Sequence, residues 1–364
     1  MRRSCKIAAA AVVLSAAAVT GFFWLRPPAA GAIRRATAEE FRYRPLKTLL
    51  AHIAMLEKPD ACRVLLLGET SEQYRMFFEH ARLKCLANDE SGHYDIVFVG
   101  GRCNRPWEKI AAQISSSGVL AWAIDVENLQ AAEFKEMLES FPCEQTHLWM
   151  PGEKEWMLVG RMKAARLKLD TMLELFSDEK AFLDLARANC QSLPELFASY
   201  VGTREQVLPA FVGDLSQTVR PEAFVSRDIP EIGWLVQGGL DEDIFAAVRA
   251  EIRSMQLVRR MVLEGNIFSG TADGMEKALD MWSAAVRRNP RDSMMLERLY
   301  RLAVNAKAFQ NVGNLKGAAK CYETMIAVRP KDAAALQAYA DVMKVLGHSE
   351  IAAQAEKKAM EVLK

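Results

Sequence analysis

YDIVFVGG, residues Tyr94–Gly101, sets five apolar or aromatic residues around one acid and closes on two glycines. A run that short, rich in Val, Ile and Phe, reads as a strand buried on both faces. In an open α/β sheet, ligands sit just past the carboxyl ends of such strands. Here that position holds Gly100-Gly101-Arg102, with no acid, hydroxyl or imidazole to act. Asp95, one residue into the strand, reads as an acid that accepts backbone hydrogen bonds where the strand begins.

Working outward, Arg63–Glu69 (RVLLLGE) is a second buried strand, and residues 36–60 form an amphipathic helix ended by Lys58-Pro59-Asp60. Thr70 or Ser71 caps a helix reaching about His80, and Arg82–Ala87 is a further strand. Pro106 and Gly118 bracket a helix over Trp107–Ser116. Val119–Ile124 is apolar and strand-like. A helix near Ala131–Phe141 puts Phe134, Met137, Leu138 and Phe141 on one face. His147–Met150 and Glu155–Val159 flank Pro151-Gly152-Glu153 as a hairpin. Alternating strands and helices that end in a hairpin predict a mostly parallel sheet with an antiparallel edge. Leu167–Val212 reads as short helices. Ser192-Leu193-Pro194-Glu195 and Thr203-Arg204-Glu205-Gln206 have the capping-box form. Residues 213–240, with Pro221, Pro230, Gly233, Gly238 and Gly239, read as a mixed linker, in which Trp234 is a packing anchor between domains.

From Asp241 the chain is helical and repeats. Ala278, Trp282, Ala285 and Pro290 are matched by Ala318, Tyr322, Met325 and Pro330, then partly by Ala352, Glu356 and Ala359, at spacings of 40 and 34 residues. Small–large–small–Pro at this period is the tetratricopeptide pattern. Small Ala lets paired helices approach, the bulky residue fills the gap, and Pro ends the second helix. The longer middle repeat predicts an extended first helix over Ser293–Phe309. The first helices of such an array line a concave face. In the last repeat that face includes Ala334, Gln337, Asp341 and Lys344, and Gln337, Asp341 and Lys344 are the candidate contacts to a protein partner.

Composition bounds the function. Lys plus Arg is 47 against 46 for Asp plus Glu, which gives no electrostatic case for nucleic acid. Seven cysteines occur singly with no C-x-x-C spacing, and five histidines form no H-E-x-x-H, so no metal site is expected. Ile7–Leu25 is 19 residues without a charge, preceded by Arg2, Arg3 and Lys6. That length nearly crosses a bilayer core, and Phe22-Phe23-Trp24 places aromatics at an interface. The expectation is an N-terminal anchor in an inner membrane, with a cleaved signal peptide as the alternative; Arg2, Arg3 and Lys6 are matched by Arg26, Arg34 and Arg35 beyond the run, and the short basic tail favours a periplasmic location for the rest of the chain. The domain reading is 1–35 anchor, 36–225 α/β domain, 226–240 linker and 241–364 repeats.

RVLLLGE, YDIVFVGG, SSSGVLAWAID, THLWMPGEKEWMLVGR and LSQTVRPEAFVSRD resemble, in order and spacing, pieces of the spermidine synthase family over residues 37–225. With the repeats, the chain is similar to the C-terminal part of bacterial proteins that fuse a transporter-like region, a spermidine synthase-like domain and tetratricopeptide repeats. The resemblance implies a class I methyltransferase-like sheet and an S-adenosyl cofactor near Gly68, Glu69, Gly100 and Asp125. The departures are specific. The family's glycine-rich loop is reduced to Gly68-Glu69-Thr70-Ser71-Glu72. Thr70–His93 is too short for two strand–helix units, and Asp89 and Glu90 are the candidates to replace the family's ribose-binding acid. Gly100 stands where the resemblance implies a catalytic Asp. The fold expected is therefore a truncated Rossmann-like, methyltransferase-type sheet followed by an all-α tetratricopeptide-like array. The function expected is a membrane-anchored scaffold with no catalytic residue, cofactor or metal. The alternative is an aminopropyl- or methyl-transferase using an S-adenosyl compound.

Overall fold

A computed structural model describes residues 38–87, 92–168, 172–173, 176–188, 190–211, 215–224, 235–236, 242–270 and 274–363. The predicted anchor over 1–35, Asp89, Glu90 and Trp234 lie outside them. Among the described residues, no helix is long and apolar enough to cross a membrane.

The chain opens with α1 (Ala38–Glu57) and β1 (Arg63–Leu67). A 3-10 turn (Ser71–Tyr74) leads into α2 (Arg75–His80), β2 (Lys84–Ala87) and β3 (Tyr94–Gly100). Next come α3 (Trp107–Ala111), β4 (Ile114–Asp125), α4 (Ala131–Ser140) and the hairpin β5 (Gln145–Trp149) and β6 (Glu155–Arg161). After β7 (Leu167–Lys168) follow α5 (Glu179–Arg187), α6 (Leu193–Phe197), β8 (Tyr200–Thr203), α7 (Arg204–Val207), a 3-10 turn (Pro221–Phe224) and β9 (Leu235–Val236). Seven strands form one mixed sheet in the order β2-β1-β3-β4-β6-β5-β8. β2, β1, β3 and β4 are parallel, whereas β6, β5 and β8 are joined by antiparallel pairing. Among the described residues between β1 and β3 in the chain there is a single strand, β2, as the short spacing predicted.

β3 is buried along both faces because alternate side chains feed two cores. Ile96 and Phe98 join Leu50, Ile53 and Leu56 of α1 on one side. Tyr94, Val97 and Val99 join Phe134 and Leu138 of α4 on the other. Asp95 Oδ2 accepts the amides of Cys62 (2.9 Å) and Arg63 (3.0 Å), the strand-start role read from sequence.

Three expectations change. The helix predicted over Trp107–Ser116 stops at Ala111, and β4 begins at Ile114 rather than Val119. The Tyr94 amide donates to the Gln113 carbonyl (2.8 Å) and Tyr94 pairs with Ile114, which draws the chain into the sheet early. The serines at 115–117 resist this weakly, because they are poor helix formers. Gly118 lies in the register shift between Tyr94 and Ile96, where a Cβ would meet Ile114 Cγ2 and the Tyr94 carbonyl at 2.8 Å; it is a bulge glycine, not a helix stop. Within Leu167–Val212, Tyr200–Thr203 is a strand paired to β5 at the sheet edge, not part of a helix. Within residues 213–240, Val219 donates to Leu129 O (2.8 Å) and Phe224 packs on Trp156 (5.6 Å), so this part of the expected linker belongs to the sheet layer.

Among the described residues the C-terminal region is six helices: α8 (Glu242–Ser269), α9 (Met275–Arg288), α10 (Ser293–Asn311), α11 (Leu315–Val328), α12 (Ala333–Val345) and α13 (Ser349–Leu363). They pack as successive pairs. α10 has 19 residues against 13 in α12, the predicted extension. Ala278, Trp282, Ala285, Ala318, Tyr322, Ala352 and Ala359 are buried between helices. α8 joins the layers: Ile252 belongs to the α1-side core, while Val258, Val262 and Leu263 belong to the opposite core. That opposite core continues without a break from Val97 of the sheet to Ala355 of the last helix.

Candidate functional site

The carboxyl ends of β1, β3 and β4 are where this fold places a ligand. Gly68, Glu69, Gly100 and Asp125 all come to that end. Gly68 (φ +88°) leaves β1 so close to β3 that a Cβ on it would lie 2.5 Å from the Gly100 carbonyl oxygen. A Cβ on Gly100 would lie 2.6 Å from the Ser71 nitrogen. The Thr70 amide donates to Gly100 O and the Glu69 amide to Arg102 O, each at 3.1 Å. Ser71 Oγ donates to Gly68 O (3.0 Å), and Gly101 N donates to Ala123 O (3.0 Å). Trp122 Nε1 closes the far side on Gly101 O (2.9 Å). The amides that a nucleoside-binding loop offers to its ligand are thus bonded to the protein's own carbonyls. The glycines admit each other's backbone.

Glu69 and Asp125 are exposed at this end. Asp125 Oδ1 accepts the Glu127 amide (2.9 Å), a loop-turn bond. Its cross-strand partner is Glu155. The neighbouring pair is bonded through Val126 N to Lys154 O (2.7 Å), so Asp125 and Glu155 form the non-hydrogen-bonded pair, whose side chains stand closest. Glu155 shares the strand parity of Met157 and Val159, which belong to the α1-side core. Burial, helped by Asp125 and opposed by Lys47, pushes its carboxyl up to about 7. The sequence reading passed over Glu155 as a strand residue; the available signal was an acid facing an acid across a predicted strand pair.

A second polar cluster lies at the opposite end of the sheet. Glu57, at the end of α1, is fully buried and bonds His147 Nδ1 (2.7 Å), Trp149 Nε1 (3.1 Å) and Arg161 Nη2 (3.3 Å). Burial alone would raise its carboxyl, but His147 and Arg161 outweigh this and hold it below the usual range. Arg161 also bonds the Glu57 carbonyl. This network anchors the end of α1 at the face away from the ligand position.

The sheet meets the helices through buried charge. Arg259 donates to Asp292 (2.8 Å) and to the Met150 and Pro151 carbonyls (3.0 and 3.3 Å) at the hairpin tip. Arg298 pairs with Glu153 and Glu222, and Arg291 pairs with Glu195. A cavity of about 20 Å³ remains beside Arg259, Asp292 and Cys190, room for one water molecule.

Gln337, Asp341 and Lys344 are exposed along α12. Gln337 Nε2 donates to Asp341 Oδ1 (3.1 Å), and Lys344 pairs with Glu356 of α13. Among the described residues, no group of His, Cys, Asp and Glu is arranged to hold a metal ion. The described cysteines are free. Burial pushes Cys143 and Cys321 up to about 12, which makes them poor nucleophiles.

Comparison with protein-family models, with curated proteins and with solved structures finds no match to this chain.

Proposed function

We propose that this protein is a non-catalytic, membrane-anchored scaffold, built on a degenerate spermidine synthase-like sheet and carrying a tetratricopeptide-like array for a protein partner. The observation that carries the reading is the direct bonding of the Gly68–Ser71 loop to Gly100 and Arg102. It fills the crevice in which an S-adenosyl compound would lie. The strand order, with one antiparallel strand inserted between β4 and β5, supports a truncated Rossmann-like, methyltransferase-type sheet. The buried Ala and aromatic positions of paired helices support the tetratricopeptide reading. Glu155 is the observation that favours the transferase alternative, because a carboxyl poised near neutrality suits proton transfer.

A thermal-shift titration of the full chain decides between them. The ligands are S-adenosylmethionine, its decarboxylated form and methylthioadenosine. Binding at 100 times Kd adds about 2.7 kcal/mol to the folded state. The scaffold reading expects no shift with any of the three; a shift of several degrees with one would overturn it. The partner face is tested by a photo-crosslinker at position 337. A crosslinked protein that is lost in the Asp341→Ala, Lys344→Ala double variant supports the assignment of that face.

A further inference from the structure

Two loops of the array are the same turn in successive repeats: residues 289–292 between α9 and α10, and residues 329–332 between α11 and α12. Asn289 N donates to Ala285 O (2.9 Å) and Arg329 N to Met325 O (2.8 Å). Asp292 N returns to Asn289 O (3.4 Å) and Asp332 N to Arg329 O (3.1 Å). Each Asp then caps the following helix, Asp292 by accepting from Met294 N and Asp332 from Ala335 N, both at 3.0 Å. Pro290 and Pro330 hold the same place, and so do the cations Arg291 and Lys331. The loops lie side by side because α9 and α11 run parallel: Asp280 pairs with Lys320, and Ser283 Oγ meets Thr324 Oγ1 at 2.9 Å.

What covers the two loops differs. α6 seats on the first, where Glu195, Leu196 and Ser199 enclose the small cavity with Asn289, Arg291 and Asp292. Arg291 Nε donates to Glu195 Oε1 (2.9 Å), and Asn289 and Asp292 are buried. The second loop is bare. Arg329, Pro330 and Lys331 are exposed and, with Asp332, line an open recess. Among the described residues, neither Arg329 nor Lys331 makes an ion pair or a side-chain hydrogen bond. The helix dipole does not account for Lys331, because a cation just ahead of a helix start meets like partial charge. Arg291 stands in the same position and is relieved by Glu195; Lys331 has no such carboxylate.

We propose that the loop over residues 329–332 is a docking site for an acidic segment of a protein partner, which presents a carboxylate to Lys331 as α6 presents Glu195 to Arg291. Arg329 stands where the first loop has Asn289, so the segment that fits carries a second acid. Asp332 decides against a phosphate surface as the occupant. Its Oδ1 is taken by Ala335 N, and its Oδ2 accepts no hydrogen bond among the described residues. A peptide has amides to donate to that oxygen, whereas a surface of phosphates brings chiefly negative charge against it. The site rests on the protein-partner reading above and gives that partner its chemistry.

The test is fluorescence anisotropy of a labelled peptide of alternating Glu and Ser, titrated with the full chain at low salt. In the Arg329→Gln, Lys331→Gln double variant the affinity is expected to fall about fivefold, the loss of two exposed ion pairs. Arg253→Gln with Lys307→Gln, which removes exposed cations elsewhere on the array, should leave it unchanged, and a Gln–Ser peptide should not bind. Three results would overturn the docking site: no binding of the Glu–Ser peptide, equal weakening by both double variants, or capture by phosphatidylglycerol vesicles, in place of the peptide, that depends on Arg329 and Lys331. Stability gives a second readout. Lys331→Gln is expected to hold or raise the urea midpoint, since nothing in the fold bonds the lysine, while Arg291→Gln lowers it by stranding Glu195. A midpoint lowered as much by Lys331→Gln would mark a structural role and sink the proposal. The crosslinker at position 337 separates this site from the partner-face reading. A protein captured equally by wild type and by the Arg329→Gln, Lys331→Gln variant leaves that face standing and removes the loop from it.

Discussion

Gly68 and Gly313 both have positive φ, +88° and +76°, yet they do different work. A Cβ at 313 meets nothing within 4 Å, whereas at 68 it strikes the Gly100 carbonyl oxygen at 2.5 Å. Gly313→Ala is expected to cost about 1–2 kcal/mol from backbone conformation alone. Gly68→Ala should add about 1–3 kcal/mol of overpacking to that, read as a lower urea midpoint. His52 gives the clearest acid limb. Its Nδ1–H donates to Thr48 O (2.8 Å) and its Nε2 is buried without a partner. Burial lowers its pKa from 6.5 to about 4. A depressed His contributes stability above its unfolded value and loses it as pH falls toward the folded one. His52 should therefore contribute a loss of about 2–3 kcal/mol between pH 7.5 and 4.5, read in urea titrations as the change in the difference between wild type and His52→Leu, because Glu155 acts in the opposite sense over the same range. Asp95 was legible in the sequence because its partners are the amides of an adjacent strand start. Glu155 was not, because its surroundings come from three separate elements.

At the scale of elements, Trp282 and Arg259 carry the joints. Trp282 Nε1 donates to Val262 O (3.1 Å), and the ring lies against Gly265, where a Cβ would fall 2.5 Å from Nε1. Trp282→Ala should destabilise by about 3–5 kcal/mol through the cavity it leaves. Arg259→Ala strands Asp292 in the interface and should cost about 3–5 kcal/mol. Both are measured by chemical denaturation. The repeat positions were readable because helix pairing requires a small residue on one side and a bulky one on the other at fixed spacing. α3 and β8 were misread for the converse reason. Trp107–Ser116 has sound local signals for a helix, but Ile114 has a pairing partner in Tyr94. Tyr200–Thr203 becomes a strand only because β5 leaves an open edge beside it.

Across the whole molecule, a single core passes from the sheet into the helical array, and α8 touches both layers. Sheet and array should unfold together. Near-ultraviolet signals from Trp149 and Trp156 in the sheet and Trp282 in the array are expected to share one urea midpoint with far-ultraviolet ellipticity. An isolated fragment of residues 241–364 should expose Ile252, deprive Arg259 of the Met150 and Pro151 carbonyls, and fail to melt cooperatively. Two separated transitions would count against the shared core. The local pattern of the chain was enough to determine β1, β3 and the β5–β6 hairpin, the caps at Ser192 and Thr203, the repeat spacing and the strand-start acid, because those forces act between residues a few positions apart. Tertiary contact alone decided that Gly68 and Gly100 close on one another, that one carboxyl oxygen of Glu155 is buried, and that the array is clamped to the hairpin tip. Each of these depends on desolvation and close approach between residues distant in the chain, which no local periodicity encodes.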